Sequence, residues 1–351
     1  MEEKQKVQES TVHSVLKLYG LDSAFGDQKE YISYIGERGD GLIKIVMSVL
    51  LKSGKRVVIK ILHEENDLIK DRDKIEKQSA FSEFIRLNGI ETPMRYMANG
   101  RFCNEYIYNG IPCNVTIEDW CGEEITEINT DISYKIGKLM ARMHTISLEN
   151  KCEIGCGTLF SAAYWNDVDA YESFCRIGEN KNLDQSIVSE IKRSHDEKLN
   201  KIRDVWDKLP RAAVQGDISI NNLVLADDDL IVFDYNNAGD EVLISDLVME
   251  GLLTAYEMDL PQKADKSMRD TLFPAFLSGY LSARKLSKEE ADTAWLVYTL
   301  YHALWFTRVV YNEDSLEKLT AKEDYAAANR LLMQMLSDIT ESDDGRFAIS
   351  E

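Results

Sequence analysis

Hydrophobic and polar positions change rhythm along the chain. Val7, Val12, Val15, Leu16 and Leu18 recur at helical spacing and predict an amphipathic helix over 7–19. Apolar runs at 30–36, 42–51 and 56–62 then read as strands. Glu37-Arg38-Gly39-Asp40 and Lys52-Ser53-Gly54-Lys55 join them, and such short Gly-bearing connections predict an antiparallel meander. From 68 to 87 the period turns helical (Ile75, Ala80, Phe81, Phe84, Ile85) and stops at Asn88-Gly89. Strands follow at 104–108 and 115–120. Beyond Gly122 they nearly vanish. Helices are predicted over 132–146, 164–175, 183–207, 241–257, 264–286, 288–312 and 316–338. The exception is 213–235, where Val214, Leu223–Leu225 and Leu230–Phe233 form short strands around turns. No internal repeat is seen, and the acidic tail 341–351 is expected to be loose. The pattern describes an α+β chain with a β-rich N-terminal lobe, 1–120, and a helix-rich C-terminal lobe, 121–351.

Charge narrows the partners. The 351 residues carry a formal net charge of −20, which argues against nucleic acid, whose binding needs basic surface. Residues 1–120 hold 19 acidic and 17 basic side chains; residues 121–351 hold 42 and 24. The acidity therefore belongs to the second lobe, where it either keeps the protein soluble or draws a cation into a cleft. No apolar run approaches the roughly 20 residues of a membrane helix, and Lys44 interrupts the most apolar stretch. The start, Met1 to Lys6, is polar and lacks a signal core, so no membrane partner is expected. The six cysteines lie between 103 and 175 without zinc-ligand spacing and read as reduced packing thiols of a cytoplasmic protein.

The chemistry concentrates in Gln215-Gly216-Asp217-Ile218-Ser219-Ile220-Asn221-Asn222, a hairpin, and Ile231-Val232-Phe233-Asp234. An Asp, an Asn five residues on, and an Asp closing a short apolar strand form a phosphoryl-transfer layout. Asp217 would accept the proton of an attacking hydroxyl; Asn222 and Asp234 would offer magnesium its hard oxygen ligands. Upstream, Val57-Val58-Ile59-Lys60-Ile61-Leu62 places one lysine inside an apolar strand. Lys60 either faces water from an edge or is buried with a partner, reaching toward nucleotide phosphates. The next helix offers Glu76 and Glu83 to hold it, with Glu76 preferred.

These residues resemble the aminoglycoside phosphotransferase and choline-kinase-like small-molecule kinases, a family with the protein-kinase fold. Its usual motif, His-Gly-Asp, four residues, Asn, is here Gln215-Gly216-Asp217 to Asn222, and Asp234 matches its second metal-binding Asp. Gly239-Asp240 and Ser245-Asp246-Leu247 resemble its Gly-Asp…Asp-Leu stretch. Ile136 to His144 resembles the helix opening its C-terminal lobe, and Asn88 to Pro93 its Gly-Ile-x-x-Pro turn. The likeness covers about 30–312. It implies a two-lobed protein-kinase-like fold, ATP or GTP as donor and Mg2+ as cofactor. Lys60, with Glu76, would serve the phosphates, and the hinge would bind adenine through the backbone of Glu118 and Trp120. Gln215 departs from the family His but can still hydrogen-bond to support the loop. Gly39 and Gly41 belong to an incomplete phosphate loop, with Lys44 where a last Gly would stand.

The expected activity is transfer of the γ-phosphate of ATP or GTP to a hydroxyl of a small cationic molecule, an aminoglycoside or related antibiotic first. Glu250, Glu257 and Asp259 are candidate holders of its ammonium group. The alternatives are a metabolic kinase for choline, ethanolamine, homoserine, hydroxylysine or a sugar, and a non-catalytic spore-coat-like protein. His144 and His302 lie on apolar helices and read as packing or supporting groups.

Overall fold

The computed structural model describes residues 7–21, 33–38, 42–63, 68–158, 161–163, 170–226, 229–256 and 266–348. The chain forms two compact units, one of 1–125 with 221–236, the other of 126–220 with 237–351.

The first unit begins with α1 (Glu9–Leu18) and holds five strands: β1 (Ser33–Arg38), β2 (Leu42–Leu50), β3 (Arg56–His63), β4 (Asn104–Tyr108) and β5 (Ile111–Asp119). They form one sheet in the order β1-β2-β3-β5-β4, and every pairing is antiparallel. The expected meander is its first three strands. Period-two alternation divides the sheet. Ile45, Met47, Val57, Ile59, Ile61, Val115 and Ile117 join one buried cluster with Val12, Val15 and Leu16 of α1. Burying each such side chain is worth about 1.5–3 kcal/mol. Val46, Ser48, Val58, Lys60, Thr116 and Glu118 therefore share the opposite face. β5 starts four residues before its expected strand because Asn109 (φ 49°) and Gly110 (φ 84°) make a two-residue hairpin turn from β4. Positive φ at both positions is what such a turn demands. α2 (Leu68–Leu87) lies between β3 and β4 in the chain.

The hairpin of β7 (Leu223–Ala226) and β8 (Asp229–Val232), which the sequence pattern leaves in the C-terminal lobe, folds with this first unit. Backbone bonds explain it: Ile125 N–H donates to the Leu223 carbonyl (3.0 Å) and Val232 N–H to that of Glu91 (3.1 Å).

The second unit is mostly helical. It contains α3 (Thr130–Glu149), α4 (Tyr171–Ile177), α5 (Gln185–Val205), α6 (Leu243–Tyr256), α7 (Lys266–Ala283), α8 (Lys288–Ala303), α9 (Leu316–Ala321) and α10 (Tyr325–Ile339). A two-stranded ribbon pairs β6 (Arg211–Val214) with β9 (Gly239–Val242). α3 and α7 meet backbone to backbone. A Cβ at Gly137 would stand 1.9 Å from the Phe276 carbonyl oxygen, and one at Gly279 1.9 Å from that of Tyr134.

Two long predicted helices are broken. The 288–312 helix ends at Ala303, where Arg308 donates to the His302 carbonyl (2.7 Å) and satisfies a terminal acceptor. The 316–338 helix divides where Asp324 caps α10 by accepting from Ala327 N–H (3.0 Å). The tail is not loose through 348: Phe347 is 1% exposed, and the Arg346 guanidinium lies over the Tyr298 ring, 4.7 Å from its centroid. Among the described residues no helix is long and apolar enough to cross a membrane.

Candidate active site

In the first unit, alternation puts Lys60 on the sheet face away from the α1 core. Register sets it opposite Thr116 on β5, with Glu118 two residues further along the same face. The Lys60 ammonium, 7% exposed, lies 3.1 Å from Glu118 Oε1 and 3.2 Å from Asp234 Oδ1. Glu118 is also held by Arg95, whose Nη2 is 3.2 Å from Oε2.

Neither helix glutamate takes the expected role. Glu76 accepts from the backbone N–H groups of Phe102 (3.1 Å) and Cys103 (2.8 Å), and Glu83 from Arg86. The sheet supplies a carboxylate on Lys60's own face, while Glu76 serves the backbone leading into β4. Glu118 and Arg95 as side-chain partners are what the sequence reading missed. The available signal was parity, since Glu118 and Thr116 alternate in step on one strand.

Asp234 stands just beyond the β7–β8 hairpin. The Phe233 N–H donates to the Asn222 carbonyl at 3.0 Å, which brings the Asn222 and Asp234 backbones to one end of the hairpin. Asp234 adopts φ 53°, a left-handed conformation that Asp tolerates better than most residues and that concentrates at functional sites. Burial alone would raise the Asp234 carboxyl, but Lys60, with Arg95 and Lys44, holds it below the ordinary carboxylate range. Burial likewise works against the Lys60 ammonium, yet Asp234 and Glu118 raise its pKa above the usual lysine value.

Lys60, Glu118, Trp120, Phe233 and Asp234 line a cavity of about 180 Å3 together with Val46 and Gly122. The Trp120 amide, expected to read adenine, already donates to the Arg56 carbonyl (3.0 Å), and that of Asp119 to Met94 (2.9 Å). Adenine contacts at Trp120 are thus limited to other groups of that residue. Gly39 and Gly41 lie outside the described residues.

In the second unit the loop after β6 is tightly made. Gln215, 1% exposed, accepts the Asp217 N–H on its side-chain oxygen at 2.7 Å, the loop-supporting bond expected of it. Gly216 adopts φ 74°, and a Cβ there would meet the Asn237 carbonyl oxygen at 2.7 Å. Asn237 Nδ2 donates to Asp217 Oδ2 (3.0 Å) and fixes the rotation of that half-buried carboxylate. Asn237 was not singled out in the sequence, where it is one of two adjacent asparagines after Asp234.

The motif acids downstream are scaffold. Asp240 accepts from the N–H groups of Ile154 and Gly155, both at 2.7 Å. Asp246 is 2.9 Å from His144 Nε2, and His144 Nδ1 is 2.8 Å from the Tyr280 hydroxyl. Burial keeps His144 neutral by lowering its pKa, although Asp246 pulls the other way. Its Nε2–H therefore donates to Asp246 while Nδ1 accepts from Tyr280. His302 stacks on Tyr298 with centroids 5.2 Å apart.

Glu250, a candidate holder of an ammonium group, is enclosed. It is 0% exposed. Burial, then the charges of Asp246 and Asp217, push its carboxyl well above the ordinary range. An enclosed side chain offers an ammonium group no accessible surface. Glu257 and Asp259 lie outside the described residues.

With this geometry in view, solved structures align over nearly the whole chain. The fold is that of small-molecule kinases. An amicoumacin kinase in complex with AMP-PNP, Ca2+ and Ami matches at 16% identity and TM-score 0.59, over 96% of each chain. A microcompartment-associated aminopropanol kinase matches at 15% and 0.57, over 93% of this chain and 98% of its own. An aminoglycoside phosphotransferase from Alicyclobacillus acidocaldarius matches at 11% and 0.55, over 96% of each. No protein-family model and no curated protein sequence matches the chain.

Proposed function

We propose that the chain is a magnesium-dependent kinase that transfers the γ-phosphate of ATP or GTP to a hydroxyl of a small molecule. The observation that carries this reading is the 3.2 Å contact between Lys60 and Asp234. These are the residues whose sequence surroundings assigned them to phosphates and to metal. Magnesium prefers hard oxygen donors, and the Asn222 amide oxygen and the Asp234 carboxylate are such a pair, the remaining ligands coming from phosphates and water. The bound ion would neutralise charge on the transferring group. Lys60 would steady the phosphates. Asp217, its carboxylate oriented by Asn237 and its backbone by Gln215, would orient the acceptor hydroxyl and take its proton on a carboxylate oxygen. Glu118 and its neighbours would receive the adenine.

The acceptor we favour carries both an amine and a hydroxyl. The charge of 121–351 supports a cation, and the solved relatives include kinases named for amicoumacin and for aminopropanol. An antibiotic remains the first candidate and a small amino alcohol the second. Six free thiols suit a cytoplasmic setting. The test is a phosphate-transfer screen with ATP and GTP, with and without Mg2+, over aminoglycosides, other antibiotics and amino alcohols. Nucleotide turnover that no acceptor stimulates and that ignores Mg2+ would refute the reading.

A further inference from the structure

Lys60 is shared between two carboxylates that differ in everything but charge. Asp234 is 29% exposed at its side chain and lines the cavity. Glu118 is 6% exposed, in the sheet, and its other oxygen is held by Arg95. Arg95, 3% exposed, is itself fixed: its Nη1 donates to Ser79 Oγ at 2.7 Å, and its backbone bridges to that of Glu118. Glu118 is therefore held in the sheet by contacts that do not involve Lys60. In surroundings of low dielectric, an ammonium released by one carboxylate goes to the other. Without Glu118, Lys60 would settle wholly on Asp234, and a cation approaching Asp234 would have to displace it.

We propose that Glu118 is a positioning residue that anchors Lys60 to the sheet, with Arg95 locking Glu118, so that Asp234 stays available to a divalent cation. The inference rests on the kinase reading above and adds the device that keeps two positive charges apart. It also frees the lysine from α2. Glu76 and Glu83 have other partners, so the β3–β5 register places the ammonium, not the position of a helix.

The test measures ADP binding to the full chain by calorimetry while Mg2+ is titrated, in the parent, E118Q, E76Q and the double variant K60M/E118Q. In E118Q the Mg2+ concentration that half-maximally enhances ADP affinity should rise about tenfold, the worth of one charge-assisted hydrogen bond. E76Q should leave it unchanged while lowering thermal stability. K60M/E118Q should bring it back to or below the parental value, because the competitor for Asp234 is gone; loss of structure alone would not be reversed this way. If E118Q does not fold, E118D serves, since its shorter side chain draws back from Lys60. Parental Mg2+ dependence in the folded Glu118 variant, an equal shift in E76Q, or no recovery in K60M/E118Q would overturn the inference alone. A parent whose ADP binding ignores Mg2+ would overturn the kinase reading and this inference together.

Discussion

Around Lys60 two cations, Lys60 and Arg95, are paired with two carboxylates, Glu118 and Asp234. In the second unit an uncharged imidazole, His144, bridges Asp246 and Tyr280, and burial raises the Glu250 carboxyl well above the ordinary range. The first unit pairs its inner charges with one another. The second uses neutral hydrogen-bonding groups to hold one half-buried carboxylate still. Under the proposed kinase reaction, charge lies on the nucleotide side and rigidity on the side of the proton transfer.

The largest effect that could break this contrast lies at Asp217. D217N should lower kcat by about 10²–10⁴-fold while ADP affinity stays near parental, since the two halves do separate work. A D217N protein within a few-fold of the parent in turnover would end the assignment. Next in size is G137A. Its methyl group meets a carbonyl oxygen of α7 rather than a flexible side chain, so unfolding experiments should show a loss of about 3 kcal/mol or more. A loss below about 1 kcal/mol would mean that α3 and α7 can part easily.

Gln215 sharpens the comparison. Q215A removes the acceptor from the Asp217 amide and should cost about tenfold in kcat, the worth of one buried hydrogen bond. Q215H should stay within a few-fold of the parent, and a collapse there would show that the loop needs the amide shape.

A further effect is a slope with pH. Glu250 ionises in the unfolded chain near the usual carboxylate value, and the fold moves that pKa upward. Above that value the native state binds the extra proton, so stability falls as pH rises, by up to about 1.4 kcal/mol per pH unit. E250Q cannot ionise. Its stability advantage over the parent should therefore grow from pH 5 to pH 8, and denaturant titrations showing parallel curves would place Glu250 in contact with water.

The candidate residues stand out in the chain because their signals are local. Asp217, Asn222 and Asp234 flank one short hairpin, and Lys60 stands out as a charge in an apolar alternation. The partner of Lys60 was not legible, because helical periodicity places Glu76 on a face without saying what that face meets. Cross-strand register decides it, and register is fixed by strands far apart in sequence. The Asn109-Gly110 pair is by contrast a hairpin signal that is legible in the sequence. The break after Ala303 depends on Arg308 turning back to a carbonyl, and the packing of Arg346 and Phe347 on distant aromatic residues; a linear pattern holds neither.

The glycine contact between α3 and α7 has a bearing on descent. Tyr280 follows Gly279 directly, and its backbone nitrogen lies 3.0 Å from where a Gly137 Cβ would stand; its hydroxyl holds His144, two turns along α3. A methyl group gained at either glycine would thus be felt as a misplaced imidazole and a loosened Asp246. Lineages of this protein should keep Gly137 and Gly279 together or change them together with the spacing of the two helices, so that residues far apart in the gene behave as one inherited character.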